Sequence, residues 1–338
     1  MGDNKYQDII SLENLYESWS KFVSNKKYKR DVAEFALNLS ENIFGLHEEL
    51  KNMSYKHGEY VAFNISDPKP RNIHKATVRD RLLHHAIYRQ LYPLFDKTFI
   101  YDSYSCRLNK GTHKALDRFR YFARKVSNND TKTVWVLKCD VRKFFASIDQ
   151  ATLTKIVKKY ISDKNVIWLL NQIISSFCST KEGVGLPVQT GLPLGNLTSQ
   201  LLVNVYMNEF DQFMKHEIKA KYYIRYADDF VIMSQDKAWL EETLKQIKEF
   251  LLTKLKLNLH PDKVSIKTLA SGIDFLGWVN FIDHRVLRTS TKKRMVKSLV
   301  QSSGKEESLQ SYLGMLSHGN TGKIQHDIIS PWKKTKSL

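Results

Sequence analysis

Two neighbouring carboxylates, Asp228 and Asp229, stand in the tetrapeptide Tyr226-Ala-Asp-Asp229 between two short apolar segments. Adjacent carboxylates at a tight turn repel each other, so the arrangement costs stability unless a cation lies nearby. A third carboxylate, Asp140, ends the apolar, β-rich stretch 134–139. Because a carboxylate at a strand end can meet a hairpin carboxylate on a neighbouring strand, the three side chains predict a site for two Mg²⁺ ions.

Such a site has a specific chemistry. Two divalent ions about 4 Å apart activate an attacking hydroxyl and stabilise a leaving pyrophosphate, which is nucleotidyl transfer. The competing interpretation of residues 226–229 is a polar β-turn, because Asp is a common turn residue. Asp149, nine residues after Asp140, is interpreted instead as the N-cap of the helix that follows it.

The hydropathy pattern indicates the elements that must position these carboxylates. We predict strands at 60–66, 134–139, 222–224, 230–233 and 273–281, and helices at 8–50, 78–95 (broken near Pro93), 151–178, 197–219 and 238–257. The order of elements is helices, then mixed β and α segments, then helices, which predicts an α+β chain. The Asp pair then occupies the turn of a hairpin formed by residues 222–233.

The composition favours a polyanionic partner. The 338 residues include 53 Lys+Arg and 35 Asp+Glu, giving a formal net charge of +18. We expect nucleic acid rather than a membrane surface. No apolar run approaches the ~18 residues of a membrane helix, and the first residues do not resemble a signal peptide. Cys106, Cys139 and Cys178 are odd in number and far apart, which predicts no disulfide framework and a cytoplasmic location.

One turn concentrates positive charge around an aromatic residue. Lys26, Lys27, Lys29 and Arg30 surround Tyr28 between two helical patterns. We predict that these four cations contact nucleic-acid phosphates, and the competing interpretation is an ordinary solvated turn.

The order of motifs is similar to that of a known family. Tyr226-Ala-Asp-Asp229 resembles the catalytic box of reverse transcriptases, and Asp140 with Phe144-Phe145 resembles the family's first catalytic block. Further blocks follow in the family's order over about residues 55–285: Arg71-Asn-Ile73 with Asp80-Arg81-Leu-Leu-His84, Ser103-Tyr-Ser-Cys-Arg107 with Gly111-Thr-His-Lys-Ala115, Gly191-Leu-Pro-Leu-Gly195 with Ser199-Gln200, Leu257-Asn-Leu-His-Pro-Asp-Lys263, and Gly272-Ile-Asp-Phe-Leu-Gly277. The resemblance implies a right-hand polymerase that copies RNA into DNA.

The resemblance also implies roles at the catalytic centre. Asp140 and Asp228 are expected to bind two Mg²⁺ ions, with Mn²⁺ as a substitute, while Asp229 assists at the primer end. The main-chain carbonyl of Val141 is expected to complete one coordination sphere. Lys263 matches a position proposed as the general acid for the leaving pyrophosphate, and its alternative is a solvated lysine.

Three further residues are expected to contact the incoming nucleotide. Arg71 and Arg107 match fingers positions whose guanidinium groups would clamp the triphosphate, and the alternative for both is a surface salt bridge. Phe145 lies five residues after Asp140, where the family places the ring that excludes a ribose 2′-hydroxyl. The alternative for Phe145 is a core aromatic, the role we expect for Phe144.

The template block departs from most of the family. Retroviral, group II intron and retron enzymes carry Gln-Gly where this chain has Leu194-Gly195, and Ser-Pro where it has Ser199-Gln200. An aliphatic residue here resembles the reverse transcriptases of diversity-generating retroelements. That resemblance implies error-prone copying at template adenines, because an apolar side chain imposes fewer polar constraints at the nascent pair. Gly195 is expected to let the backbone approach that pair, and Gln200 to contact nucleic acid.

The predicted domains are an N-terminal helical segment (1–55), fingers (56–130), a palm with part of the fingers (131–284) and a helical thumb (285–338). A template RNA, a primer, deoxynucleotides and a small basic accessory protein are the expected partners. Two alternatives remain open at this point. One is a phage-defence or retron-type reverse transcriptase, and the other is a catalytically silent RNA-binding protein.

Overall fold

The computed structural model describes residues 5–66, 70–179, 189–301 and 306–326. Its helices are α1 (Lys5–Ile10), α2 (Leu12–Val23), α3 (Arg30–Leu37), α4 (Leu39–Lys51), α5 (Val78–Asp96), α6 (Thr112–Val126), α7 (Phe144–Ser147), α8 (Gln150–Tyr160), α9 (Lys164–Ser175), α10 (Leu197–Gln212), α11 (Lys237–Leu255), α12 (Thr289–Gln301) and α13 (Glu306–Leu316). Its strands are β1 (Val61–Ile65), β2 (Arg71–Lys75), β3 (Trp135–Asp140), β4 (Tyr223–Tyr226), β5 (Asp229–Ser234), β6 (Ser265–Thr268), β7 (Ile273–Phe275), β8 (Trp278–Asn280) and β9 (Arg285–Leu287).

The N-terminal helices pack around α5. Thr77 caps this helix, because its hydroxyl oxygen accepts a hydrogen bond from the Asp80 backbone N–H at 3.2 Å. The predicted break near Pro93 is wrong, since α5 continues to Asp96. Tyr92 and Phe95 on either side of the proline are buried in the core, and this packing outweighs the lost backbone hydrogen bond.

The central sheet has four antiparallel strands in the order β4-β5-β3-β6. Side chains alternate between its two faces, and both faces are buried. Leu137 and Cys139 of β3 face the core that contains α10 and α11, whereas Val136 faces a second core that contains α6. The α6 helix therefore packs against the central sheet. The predicted domain boundary at residue 130 places α6 in the fingers and stays a prediction.

A second, three-stranded sheet precedes the predicted thumb. Its order is β7-β8-β9, and the predicted single strand 273–281 is instead two strands joined by a tight turn. Leu276 and Gly277 at this turn have φ values of 52° and 87°, a conformation that reverses the chain between paired strands. Helices α12 and α13 follow, as expected for a helical thumb, and residues 327–338 lie outside the described residues.

The predicted roles of Asp149 and of the three cysteines agree with the structure. Asp149 is the N-cap of α8, because its Oδ1 accepts a hydrogen bond from the Thr152 backbone N–H at 2.7 Å. Cys106, Cys139 and Cys178 are all free, as the sequence predicts. None of the helices in the described ranges is long and apolar enough to cross a membrane.

Candidate active site

The strand register brings the three predicted carboxylates to one edge of the central sheet. Asp140, the last residue of β3, lies directly opposite Asp229, the first residue of β5. Asp228 occupies the turn between β4 and β5, beside Ala227, whose φ is 55°. The backbone N–H of Val141 donates a hydrogen bond to the Asp228 carbonyl at 3.1 Å, which joins the turn to the end of β3. The predicted meeting of a strand-end carboxylate with hairpin carboxylates is therefore what the structure has.

A fully buried ion pair between Arg225 and Asp211 stabilises the hairpin of β4 and β5. Arg225, which is 0% exposed, donates hydrogen bonds to both carboxylate oxygens of Asp211 at 2.8 and 2.6 Å. The same guanidinium donates to the carbonyl of Ala227 at 3.1 Å and to the hydroxyl of Ser103 at 3.1 Å. Tyr223 also donates to Asp211, at 2.7 Å. This network fixes the turn that carries the Asp pair.

Arg225 was not among the functional residues predicted from the sequence. The available signal was a charged residue directly after the apolar run Tyr222–Ile224 and directly before the tetrapeptide 226–229. Its partner Asp211 lies 14 residues earlier, near the end of α10, and this spacing matches no local pairing rule.

The carboxylates carry negative charge that the surrounding protein does not fully compensate. Burial, helped by the charge of Asp140, raises the pKa of Asp228. Burial raises the pKa of Asp229 to about 7, with Asp140 and Asp228 adding to the rise and Lys138 opposing it. The Oδ1 atom of Asp229 is buried and has no hydrogen-bond partner among the described residues.

Two lysines contact these carboxylates. Lys263, on a 3₁₀ turn after α11, donates a hydrogen bond from Nζ to Oδ1 of Asp140 at 2.9 Å. The backbone N–H of His260 on the same segment donates to the Asp140 carbonyl at 2.7 Å, which holds the segment against β3. Lys138 lies two residues before Asp140, and its Nζ is 3.7 Å from Oδ2 of Asp229. Lys138 was not predicted from the sequence, although residues two apart on a strand lie on the same face, so Lys138 shares the face of Asp140.

The donor set fits a divalent cation. It consists of carboxylate oxygens, the ligands that Mg²⁺ prefers, and one of these oxygens is buried without a partner. Among the described residues, no three His, Cys, Asp or Glu side chains form a ready-made metal-binding group. The Oδ1 atom of Asp140 instead accepts a hydrogen bond from Nζ of Lys263. The chemistry of the site therefore suits the predicted ions, and the side chains would rearrange to hold them.

The two aromatic residues after Asp140 differ in burial. Phe144 is buried in the core, whereas Phe145 is half-buried and packs against it with the two rings 5.6 Å apart. The carbonyl of Phe145 accepts a hydrogen bond from the Leu192 backbone N–H at 2.9 Å. This bond ties the predicted sugar gate to the predicted template block, and its role in sugar selection stays a prediction.

The template block contacts the fingers hairpin formed by β1 and β2. The carbonyl of Leu194 accepts a hydrogen bond from the backbone N–H of His74 on β2 at 3.1 Å. Gly195 has a φ of 110°, and a Cβ there would lie 3.0 Å from Cγ2 of Ile73. A side chain at residue 195 would therefore strain the backbone and crowd β2. Gln200 lies half-buried on α10, and its predicted contact with nucleic acid stays a prediction.

The two predicted triphosphate clamps differ sharply. Arg71 begins β2 and is exposed. Its positive charge opposes the rise in the pKa of Asp228. Arg107 is nearly buried and donates hydrogen bonds to Asp96 at 2.7 Å and to the carbonyls of Ile100 and Ser103 at 2.7 and 3.0 Å. These hydrogen bonds engage the Arg107 guanidinium. In this structure Arg107 therefore stabilises the loop before α6, and its guanidinium is not free for the predicted contact with a triphosphate.

The predicted phosphate-binding turn lies between α2 and α3. Lys27 and Lys29 are exposed, and Lys26 places its Nζ 4.7 Å from the centroid of the Phe22 ring. Arg30 begins α3 and forms an exposed ion pair with Glu34. The turn therefore presents positive charge to solvent, and contact with nucleic acid there stays a prediction.

Comparisons with known proteins agree with this geometry. A family model described as "Reverse transcriptase (RNA-dependent DNA polymerase)" matches residues 63–280. Protein YkfC of Escherichia coli (strain K12) is 27% identical over 70% of this chain and 69% of its own length. The group II intron-encoded protein LtrA of Lactococcus lactis subsp. cremoris is 24% identical over 85% of this chain, which spans 56% of LtrA.

Solved structures show the same fold. Telomerase from Candida albicans, in complex with a TWJ fragment of telomeric RNA, has a TM-score of 0.52 at 12% identity, covering 74% of this chain and 51% of that one. Apo telomerase from Candida tropicalis has a TM-score of 0.53 at 13% identity, covering 71% and 49%. The predicted right-hand polymerase fold and the predicted enzyme class, RNA-directed DNA polymerase, are confirmed. The chain belongs to the reverse transcriptase family.

Proposed function

We propose that this chain extends a primer along a template RNA with deoxynucleotides, and that Asp140, Asp228 and Asp229 form its catalytic centre. The observation that carries the proposal is the register of β3 and β5, which gathers three partly buried carboxylates, two of them with raised pKa values. Such a group is costly for a protein that merely binds RNA, because like charges held close together and away from water destabilise the fold.

Asp140, Asp228 and Asp229, with the carbonyl of Val141, would hold two Mg²⁺ or Mn²⁺ ions. The bound ions would activate the primer 3′-hydroxyl and stabilise charge on the leaving pyrophosphate. The chain's own part is to orient these oxygens through the Arg225 network and through the bond from the Val141 N–H to the Asp228 carbonyl. Lys263 holds protons at Nζ beside Asp140 and would donate one to the departing pyrophosphate oxygen.

The nucleotide would lie between the catalytic edge and the fingers hairpin. Arg71 at the start of β2 would contact the triphosphate, since its charge already reaches Asp228. The half-buried Phe145 ring would exclude a ribose 2′-hydroxyl. Leu194 and Gly195 would back the nascent base pair, where the bond from His74 to Leu194 joins template block and hairpin.

We further propose that the enzyme is of the diversity-generating type, copies template adenines with errors and acts with a small basic accessory protein. Leu194 supports this subtype, because an aliphatic side chain offers no hydrogen bond to hold an incoming base in one orientation. The match to group II intron-encoded LtrA supports the broader class of enzymes that copy structured RNA.

Primer extension on an RNA template with all four deoxynucleotides and Mg²⁺, followed by product sequencing, tests both proposals. Extension with errors concentrated at template adenines is the expected result. Accurate or template-independent extension would keep the polymerase and refute the diversity-generating subtype in favour of a retron or defence role. RNA binding without any extension, with or without a neighbouring accessory protein, would refute the polymerase.

A further inference from the structure

The solvent face of α6 carries a stripe of basic and aromatic side chains that the catalytic centre does not use. Lys114, Arg118, Tyr121 and Lys125 lie at helical spacings i, i+4, i+7 and i+11, so they share one face of the helix. The opposite face, which includes Phe119, is buried against the central sheet. With a rise of 1.5 Å per residue, the stripe is roughly 16 Å long.

The loop before α6 adds a second aromatic ring to this stripe. Tyr101 has Lys110 Nζ 3.5 Å from its ring centroid, and Cζ of Arg118 is 5.2 Å from the same centroid. Cζ of Arg118 is also 5.0 Å from the centroid of the Tyr121 ring. One guanidinium therefore lies close to two tyrosine rings. Such combinations of aromatic rings and Arg planes are the surfaces on which unpaired RNA bases stack.

These tyrosine rings are open to solvent. Tyr101 is 68% exposed and Tyr121 is 48% exposed. Together with Lys110, Lys114 and Arg118, both rings line a shallow cavity of about 280 Å³. That volume lies below the usual range for small-molecule pockets, so the cavity suits a single base or phosphate of a longer ligand better than a whole small molecule.

The charge of this surface is positive and mostly unpaired. Lys110, Lys114 and Lys125 have no ion-pair partner among the described residues. The acidic groups nearby are already engaged, because Asp102 is buried beside Arg118 and Asp117 pairs with Arg285 at 3.0 Å. A polyanion is therefore the complementary partner.

The stripe lies beside the catalytic hairpin and outside the carboxylate edge. The Thr112 hydroxyl at the start of α6 donates a hydrogen bond to the Tyr226 hydroxyl at 3.2 Å. Before α6, the Tyr104 backbone N–H donates to the Arg225 carbonyl at 3.0 Å, which attaches the loop along the edge strand β4.

We infer that Tyr101, Lys110, Lys114, Arg118, Tyr121 and Lys125 form a binding site for single-stranded RNA outside the catalytic centre. The inference rests on the proposed function in one respect, since it takes the bound strand to be a segment of the template RNA that is not being copied. Exposed rings favour an unpaired strand over a duplex, because a duplex hides the faces of its bases.

The test is equilibrium binding of a fluorescent, unstructured 20-nucleotide RNA to the full chain at several salt concentrations. Lys114→Ala with Lys125→Ala should reduce the slope of log affinity against log salt by about 1.4, the expected loss for two phosphate contacts on a single strand. Tyr101→Ala with Tyr121→Ala should weaken binding by roughly thirtyfold or more through the loss of two stacking rings. Circular dichroism melting confirms that each variant is folded.

Two matched pairs serve as controls. Lys248→Ala with Lys254→Ala removes two exposed lysines of α11, and Tyr16→Ala with Phe44→Ala removes two exposed rings of the N-terminal helices. Crosslinking of a 4-thiouridine-labelled RNA should map to the peptides that contain Tyr101 and Tyr121. The inference is overturned if both stripe pairs bind like their controls, or if duplex RNA binds the stripe more tightly than single-stranded RNA.

Binding does not require catalysis, so the two proposals can fail separately. A chain that extends no primer but loses RNA affinity in the stripe variants would refute the proposed function and retain this site. A chain that extends primers while the stripe variants bind like their controls would refute the site and retain the function.

Discussion

Two groups of charged side chains meet at the hairpin of β4 and β5, and they differ in how far the protein compensates their charge. Arg225 and Asp211 are both fully buried, and their charges meet in two short hydrogen bonds. Asp228 and Asp229 are only partly buried, yet their pKa values are raised and one oxygen of Asp229 is buried without a hydrogen-bond partner among the described residues. Paired charge holds the hairpin in place, and uncompensated charge marks where a cation must complete the site.

The largest expected effect comes from breaking the compensated pair. Arg225→Met leaves the Asp211 carboxylate buried without its cation, and we expect the free energy of unfolding to fall by about 3–5 kcal/mol. Adding Asp211→Asn removes the stranded charge while keeping an acceptor for Tyr223, so the double variant should regain part of the loss. Urea unfolding followed by tryptophan fluorescence measures both. A double variant less stable than Arg225→Met alone would contradict this account.

The uncompensated group should respond with the opposite sign. In EDTA at pH 8, Asp229→Asn relieves repulsion with Asp140 and Asp228, so the free energy of unfolding should stay equal or rise by roughly 1 kcal/mol. Asp211→Asn is the matched control and should be destabilising. Added Mg²⁺ should raise the melting temperature of the unmodified chain more than that of Asp229→Asn. Equal destabilisation by the two substitutions would remove the distinction between the pairs.

Two histidines on α5, His84 and His85, are kept neutral by their surroundings instead of being paired with an opposite charge. Burial lowers the pKa of His84 to about 3 and that of His85 to about 4. The unfolded chain binds protons at both histidines below about pH 6.5 and the folded chain does not. Stability should therefore fall as the pH drops from about 6.5 toward 4, by up to about 1.4 kcal/mol per pH unit for each histidine.

Urea unfolding at pH 7.5, 6 and 5 measures this slope. His85→Gln should remove one histidine's share of it, whereas His216→Gln, at an exposed position of the π-helical turn after α10, should leave it unchanged. A slope that His85→Gln does not alter would show that the neutral histidine contributes no pH-dependent stability.

The smallest expected effect lies on the fingers side of the site. Leu194→Gln restores an amide at the template block, and misincorporation at template adenines should fall by roughly fivefold, equivalent to about 1 kcal/mol of discrimination. Leu197→Gln, three residues further along on α10, is the matched control. Sequencing of primer-extension products measures the change. An unaltered error spectrum in Leu194→Gln would remove the residue from the proposed fidelity mechanism.

The sequence predicted the catalytic edge well because its signals are local. Short, nearly continuous apolar runs indicated β3 and β5, and the tetrapeptide at 226–229 marked the turn between β4 and β5. The contacts that support this edge depend on tertiary structure. The pairing of Arg225 with Asp211 and the enclosure of Arg107 by its own loop required the fold.

The errors in the predicted elements have similar causes. Pro93 normally disfavours a helix interior, but burial of its neighbours keeps α5 continuous. The run 273–281 is apolar enough for one strand, yet the positive φ values at Leu276 and Gly277 divide it into β7 and β8. Gly277 was the local signal for this turn, and its neighbours outweighed it in the hydropathy pattern.

The central claim is that the uncompensated carboxylates perform nucleotidyl transfer. The most direct test is primer extension on an RNA template by Asp228→Asn, with melting temperature and RNA affinity measured on the same preparation. We predict that extension falls by roughly 10³-fold or more, while melting temperature and RNA affinity match those of the unmodified chain. Extension at the unmodified rate by a folded Asp228→Asn chain would contradict the account.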